Sequence, residues 1–310
     1  MRSSQRLEWI DALRGLGMIF VIVGHMTVPA IVQQAIFSFH MPLFFFISGY
    51  LYKGNYSKQW ILKKTDSLIV PYIIYSFIVL LVLYSLGKCN ICEVGKNILL
   101  GNGIGITWFL TCLFAVESIG GFVASRKMFS GRNTKWGLIV FMAVIGWLMP
   151  RFGIPEVFKC NVFIAAMVFW LSGNMLRDVT IKAFCIPVAM LLGCLFVFQR
   201  VDMNSARYGN LFLFYGTAMG SIVTLIWGFK RFSIQWKPLS FIGRRSLEFM
   251  CLHAVIPMVL TFIVARSGYE VPKCVMRIVS LSAVVFAAWA IHRYSKVLSG
   301  RACLFQRLAK

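Results

Sequence analysis

The chain is expected to fold as an all-α polytopic membrane bundle of about ten spans with both termini in the cytosol, and three observations carry that expectation. The first is composition. Of 310 residues, 59% are hydrophobic and 14% charged, with a mean hydropathy of +0.77, far more apolar than a soluble core of this length requires. The second is continuity: apolar runs long enough to cross a ~30 Å hydrocarbon core recur along the whole sequence, without the alternating polarity of a membrane β-barrel. The third is charge bias. With the N-terminus inside, 22 Lys and Arg residues, from Arg2 and Arg6 to Lys310, collect on one side and nine on the other, which places both termini in the cytosol.

The formal charge of +22 is therefore mainly a topology signal. A nucleic-acid binder would need an exposed basic domain interleaved with aromatics, and the sequence has no such stretch. Short loops join the spans, so a single membrane domain over residues 1–310 with no separate soluble domain is expected.

The first span, 12–29, carries Arg14 and His25. Eleven residues apart, they are separated by three helical turns plus about 20°, so both project from one face about 16 Å apart. Ionisable groups inside a bilayer are costly and usually face a protein interior or a water-filled cavity. Asp11 and Arg14 interrupt the stretch where the apolar core of a signal peptide would begin, so the segment reads as a retained span.

The second span, 34–52, opens on His40 and carries Ser48. The third, 67–86, follows Lys63 and Lys64 on the cytosolic side, and the fourth, 105–124, holds Trp108 near its outer end and Glu117 as its only acid. An unpaired carboxylate at that depth is expensive, so Glu117 should meet a cation or line a cavity. Trp108 suits either an interfacial belt or the wall of a cavity. The remaining spans are 136–150, short for a crossing, then 160–176, 183–199, 209–228, 240–264 and 275–295. Arg244, Arg245, Glu248 and His253 all lie on the ninth, with His253 about 18 Å into it. His25, His40 and His253 thus fall at a similar depth in the outer half, either as packing groups or as an outer polar layer.

The nine cysteines form no zinc pattern: Cys89 and Cys92 make one CxxC without a second pair or a nearby His, and small apolar thiols are the expected role. Buried charges also suit a transporter or flippase of a small molecule or lipid-linked sugar. That alternative is weakened because residues 1–155 and 156–310 show no internal repeat.

The motifs IDALRGLGMIFVIVGH, FSFHMPLFFFISGYLY, Lys63-Lys64 with Pro71-Tyr72, WFLTCLF and FIGRRSLEFMCLH occur in this order along the whole chain. Together they resemble the integral membrane acyltransferase 3 family, which includes bacterial sugar and polysaccharide O-acetyltransferases, and the second motif is most similar to the fucose 4-O-acetylase-like branch. The resemblance implies transfer of an acyl group, usually acetyl, from acyl-CoA to a hydroxyl of a cell-surface glycan or its lipid-linked precursor, in the bacterial inner membrane. By position it implies His25 as catalytic base and Arg14 as a donor-binding group. The residues themselves suggest His40 beside the chemistry, Lys63, Lys64, Arg244 and Arg245 for the phosphates of acyl-CoA, and Trp108, Glu117, Ser48, Glu248 and His253 around the cavity. No permanently bound cofactor and no metal are expected, acyl-CoA entering as a cosubstrate.

Overall fold

A computed structural model describes residues 7–127, 131–153 and 157–308 of the chain; Arg2, Arg6 and Lys310, counted above with the cytosolic basic residues, lie outside them. In chain order the helices are α1 (Glu8–Gly24), α2 (Ala30–Leu51), α3 (Lys58–Lys64), α4 (Val70–Ser85), α5 (Ile91–Leu99), α6 (Trp108–Ser125) and α7 (Arg132–Leu148). They continue as α8 (Cys160–Leu176), α9 (Ile186–Cys194), α10 (Leu211–Arg231), α11 (Lys237–Arg244), α12 (Ser246–Ser267), α13 (Lys273–Tyr294) and α14 (Leu304–Leu308). Among the described residues seven helical stretches are long and apolar enough to cross a membrane, and α1, α8 and the segment Ala183–Phe198 are shorter. Together these correspond to the ten apolar runs of the sequence. The chain is an all-α, multi-pass membrane protein.

Four boundaries differ from the sequence expectation. The first span runs over Glu8–Gly24 instead of 12–29, and the chain reverses before Pro29, which caps α2. A proline disfavours helical geometry in the residue before it, so α1 cannot continue across Val28. His25 is consequently the exposed C-cap of α1, and His40 lies ten residues, about 15 Å, into α2 instead of opening it. The ninth span is two helices, α11 and α12, broken at Arg245, which puts His253 about 10 Å from the start of α12 rather than 18 Å into a longer span. The short fifth run extends over Arg132–Phe152, 21 residues, because a 3₁₀ turn continues α7.

Before Pro71 the helical path widens into one π-helical turn, Thr65–Ile69. Proline lacks an N–H and its ring crowds the carbonyl four residues earlier, and the wider turn relieves both.

Contacts divide the chain into two units interleaved along the sequence: Met1–Asn55, Val116–Ile154 and Asn161–Ser246 in one, and Tyr56–Ala115, Pro155–Cys160 and Leu247–Lys310 in the other. In the first unit the helices approach backbone to backbone through glycine. A Cβ on Gly15 of α1 would overlap the Leu239 carbonyl of α11, and one on Gly243 of α11 would overlap the Asp11 carbonyl of α1. The same reciprocity joins α2 to α8, where Gly49 meets the Trp170 carbonyl and Gly173 the Phe46 carbonyl. Lipid is as apolar as a leucine side chain, so membrane helices gain little by mere burial; small residues that permit close approach give the dispersion contacts that hold them. The indole of Trp170 then lies over Gly120 of α6.

In the second unit Asp66, fully buried in the π-helical turn, accepts hydrogen bonds from the Phe305 N–H (2.9 Å) and the Gln306 N–H (3.3 Å). It thereby caps α14, which otherwise would expose its first N–H groups. Gly300, at φ 64°, approaches the Ser67 carbonyl on the same turn, so the segment after α13 is docked at two points.

Candidate functional site

Arg14, His25 and His40 all belong to the first unit. The imidazole Nδ1–H of His25 donates to the Val21 carbonyl (2.8 Å), and that of His40 donates to the Ile36 carbonyl (2.8 Å). A carbonyl only accepts, so each bond places a proton on Nδ1. The phenyl ring of Phe37 touches both imidazoles, with centroids 5.7 Å from His25 and 5.1 Å from His40. His25 is exposed and His40 is buried within the protein. Of the two, His25 is therefore the accessible imidazole.

Two pockets lie at opposite ends of α2 and α10. One, of about 320 Å³, adjoins the N-terminal end of α2 and is lined by Gln33, Gln34, Phe37, Arg200, Asp202 and Arg207. Gln33 Nε2 donates to the Gly24 carbonyl, next to His25 (3.1 Å). The charge bias assigns this end to the outer side. The other, of about 330 Å³, adjoins the C-terminal end of α10 and is lined by Arg177, Trp227, Lys230 and Arg231 among others. Its Lys230 ammonium sits over the rings of Trp9 (5.4 Å) and Tyr50 (5.0 Å), and Arg177 Nη1 donates to the Tyr52 carbonyl that ends α2. Trp9 precedes Arg14 on α1 by five residues, about 7.5 Å along the axis. In order along α1 there are thus a cationic end at Trp9 and Lys230, half-buried Arg14, and His25.

Ser48 and Glu117, both buried, meet across α2 and α6: Ser48 Oγ donates to Glu117 Oε1. The pairing explains how a carboxylate is accommodated at that depth, since its oxygen receives a hydroxyl proton. It also commits the Ser48 proton to an interhelical bond. Ser48→Ala should therefore cost about 1–3 kcal/mol of stability, the penalty for a buried acceptor losing its donor, and should leave no acyl-serine to lose. Mass spectrometry of protein incubated with acyl-CoA checks it: a covalent acyl adduct on Ser48 contradicts the expectation.

The other sequence candidates are divided between the two units. Arg245 folds back on its own helix, its Nη1 donating to the Phe241 carbonyl (3.1 Å) and its guanidinium 3.8 Å from the Phe241 ring, while Arg244 is exposed. Lys63, Lys64, Trp108, Glu248 and His253 belong to the second unit. Lys64 sits 5.4 Å from the Trp60 ring, and Lys63 is exposed. Trp108 is buried at the start of α6 and packs edge-on against Phe109, so it is not a lipid-facing belt residue. His253 Nδ1–H donates to the Met250 carbonyl (2.8 Å). Glu248, almost wholly buried, takes a 2.6 Å bond from His292 Nδ1 in the last turn of α13.

Sequence reasoning did not single out Phe37, the inner cluster of Arg177, Trp227, Lys230 and Arg231, the outer cluster of Gln33, Gln34, Arg200, Asp202 and Arg207, or His292. Phe37 was three residues from His40, the spacing at which helix side chains meet. The basic residues carried no separate signal, because a pocket arginine and an orientation arginine look alike in a sequence.

These features define a multi-pass membrane protein with polar groups at both ends of one helical unit. The acyltransferase domain family matches residues 7–293, nearly the whole chain, and the protein belongs to that family. It is accordingly an enzyme that transfers acyl groups, which displaces the transporter reading. Neither a curated protein nor a solved structure matches the chain significantly.

Proposed function

We propose that the protein is an O-acyltransferase that takes an acyl group, acetyl above all, from acyl-CoA on the cytosolic side of the bacterial inner membrane. It delivers the group to a hydroxyl of a glycan or lipid-linked sugar at the outer end, with His25 as general base. The observation that carries this reading is the position of His25, exposed at the C-terminal end of α1 with its Nδ1–H held by the Val21 carbonyl of its own helix.

In this mechanism the phosphates of acyl-CoA rest among Arg177, Lys230 and Arg231, where arginine offers a bidentate grip and lysine a point charge. Lys63, Lys64, Arg244 and Arg245 remain with the cytosolic set that the charge bias assigns. The pantetheine arm follows α1 past Arg14 and presents the thioester at His25, about 16 Å further on. His25 Nε2 removes the proton of the acceptor hydroxyl as the oxygen attacks the thioester carbonyl. The tetrahedral intermediate collapses with cleavage of the C–S bond, the new ester leaves with the acceptor, and the imidazolium returns its proton to the CoA thiolate. A single histidine thus serves as base and then as acid.

Radiolabelled acetyl-CoA and a glycan acceptor in proteoliposomes test the reading directly: label on the acceptor supports it, and acceptor movement without label refutes it. Replacing Lys230 and Arg231 together by alanine should raise KM for acetyl-CoA by about 10–100-fold, the loss of one or two charge-assisted bonds, with the KM for acceptor unmoved. Initial rates over a matrix of both substrates separate the two constants.

A further inference from the structure

The pocket at the N-terminal end of α2 has a chemistry of its own. Its wall is built from parts held rigidly in place. Gln34 Nε2 donates to both the Phe196 (2.6 Å) and Gln199 (2.8 Å) carbonyls, and Gln199 Oε1 accepts the Asn210 N–H (2.7 Å). Between them Asp202 and Arg207 pair backbone to backbone in both directions, each at 2.9 Å, which closes the loop and sets Arg207 into the pocket lining beside Arg200.

The balance of charge in this pocket is one-sided. The Asp202 carboxylate is consumed by its own turn, accepting from the Asn204 N–H (3.0 Å), the Ser205 N–H (3.4 Å) and the Ser205 hydroxyl (2.7 Å). Among the described residues neither Arg200 nor Arg207 has a side-chain hydrogen bond or ion pair. Two uncommitted guanidinium groups, the amide oxygens of Gln33 and Gln34, and one aromatic face remain to meet a ligand. Amide oxygens accept from sugar hydroxyls, an aromatic ring covers the apolar face of a pyranose, and guanidinium groups bind carboxylate or phosphate bidentately.

We propose that this pocket is the acceptor subsite and that it selects an anionic sugar, one bearing a carboxylate or a phosphate, gripped by Arg200 and Arg207. The proposal rests on the functional reading above, because Phe37 and Gln33 link the pocket to His25. Charged hydrogen bonds are about twice as strong as neutral ones, so the anionic group anchors the sugar while a neighbouring hydroxyl reaches the imidazole. A lipid headgroup would engage the same arginines, but it has no use for the glutamine oxygens and the ring.

The test uses full-length protein in phospholipid-free detergent and, in parallel, in phosphatidylcholine vesicles. Acceptors are a uronic-acid oligosaccharide, the same oligosaccharide with its carboxyls reduced to alcohols, and a lipid-linked sugar diphosphate. The acidic acceptor is expected to have a KM at least tenfold below that of its reduced form, and Arg200→Gln with Arg207→Gln should close that gap in both media. A lower KM for the diphosphate instead identifies phosphate as the anion recognised. Equal KM values for acidic and neutral acceptors, or an effect of the arginine substitutions confined to phospholipid vesicles, overturns the proposal. Titration calorimetry of the acidic oligosaccharide onto a His25→Gln variant separates the two readings. Binding that depends on Arg200 and Arg207, without acyl transfer by the unsubstituted protein, leaves the subsite standing and removes the enzymatic role of His25. Transfer without such selectivity does the reverse.

Discussion

His25→Ala is expected to lower acyl transfer by about 10²–10⁴-fold, the usual worth of a positioned general base, with the protein still folded and KM for acyl-CoA little changed. The expectation follows from where the side chain stands. It caps α1 at an exposed position, with Nδ1 bonded to the Val21 carbonyl of its own helix, so removing the ring does not open a packed core. His25→Gln refines the measurement, since the amide keeps a hydrogen-bonding group but has no comparable basicity. Single-turnover rates with preformed acyl-CoA complex decide the matter. Full activity in either variant would assign the base elsewhere, and His40, held through Phe37 in the same cluster but buried, is then the residue to replace.

Gly243→Ala or Gly15→Ala should be strongly destabilising, by about 1–3 kcal/mol or more, and should depress activity with it. A methyl at either position meets backbone, the Asp11 or Leu239 carbonyl, and neither can move aside as a flexible side chain would. The penalty is therefore not relieved by repacking; α11 must shift away from α1. Because Arg14 and Gly15 are adjacent, such a shift also rotates the arginine out of its place between Trp9 and His25. Thermal unfolding in detergent is the measurement, with Gly228→Ala in α10 as the comparison. Nothing lies within 4 Å of a Cβ at Gly228, so that substitution should be neutral or slightly stabilising. Equal melting temperatures for all three variants would contradict the close crossing.

Much of the architecture was legible in the chain. The ten apolar runs correspond to helices because crossing a hydrocarbon core imposes a length and a composition on each segment separately, and both are properties of contiguous residues. Arg14 and His25 could be placed on one face for the same reason: helical geometry is local. What failed was placement near irregular backbone. His40 was set at the mouth of its helix and His253 too deep because the breaks at Pro29 and Arg245 shift the origin from which depth is counted. Glu117 was expected to meet a cation or line a cavity, and a hydrogen bond that it accepts comes from Ser48, 69 residues away along the chain, a partner that no local pattern announces.

The sequence by itself determined that this protein crosses a membrane many times, which face carries its basic residues, and, through its motifs, that it resembles acyltransferases. Each of those rests on residues read in order. Only the tertiary structure decided which polar residues share a pocket. Gln34 reaches carbonyls more than 160 residues distant, and the outer pocket joins α2 to the loop before α10. The physical reason is that the bilayer selects each helix by its own hydropathy, whereas lateral packing depends on glycines, hydroxyls and amides whose partners lie on other helices and leave no periodic trace.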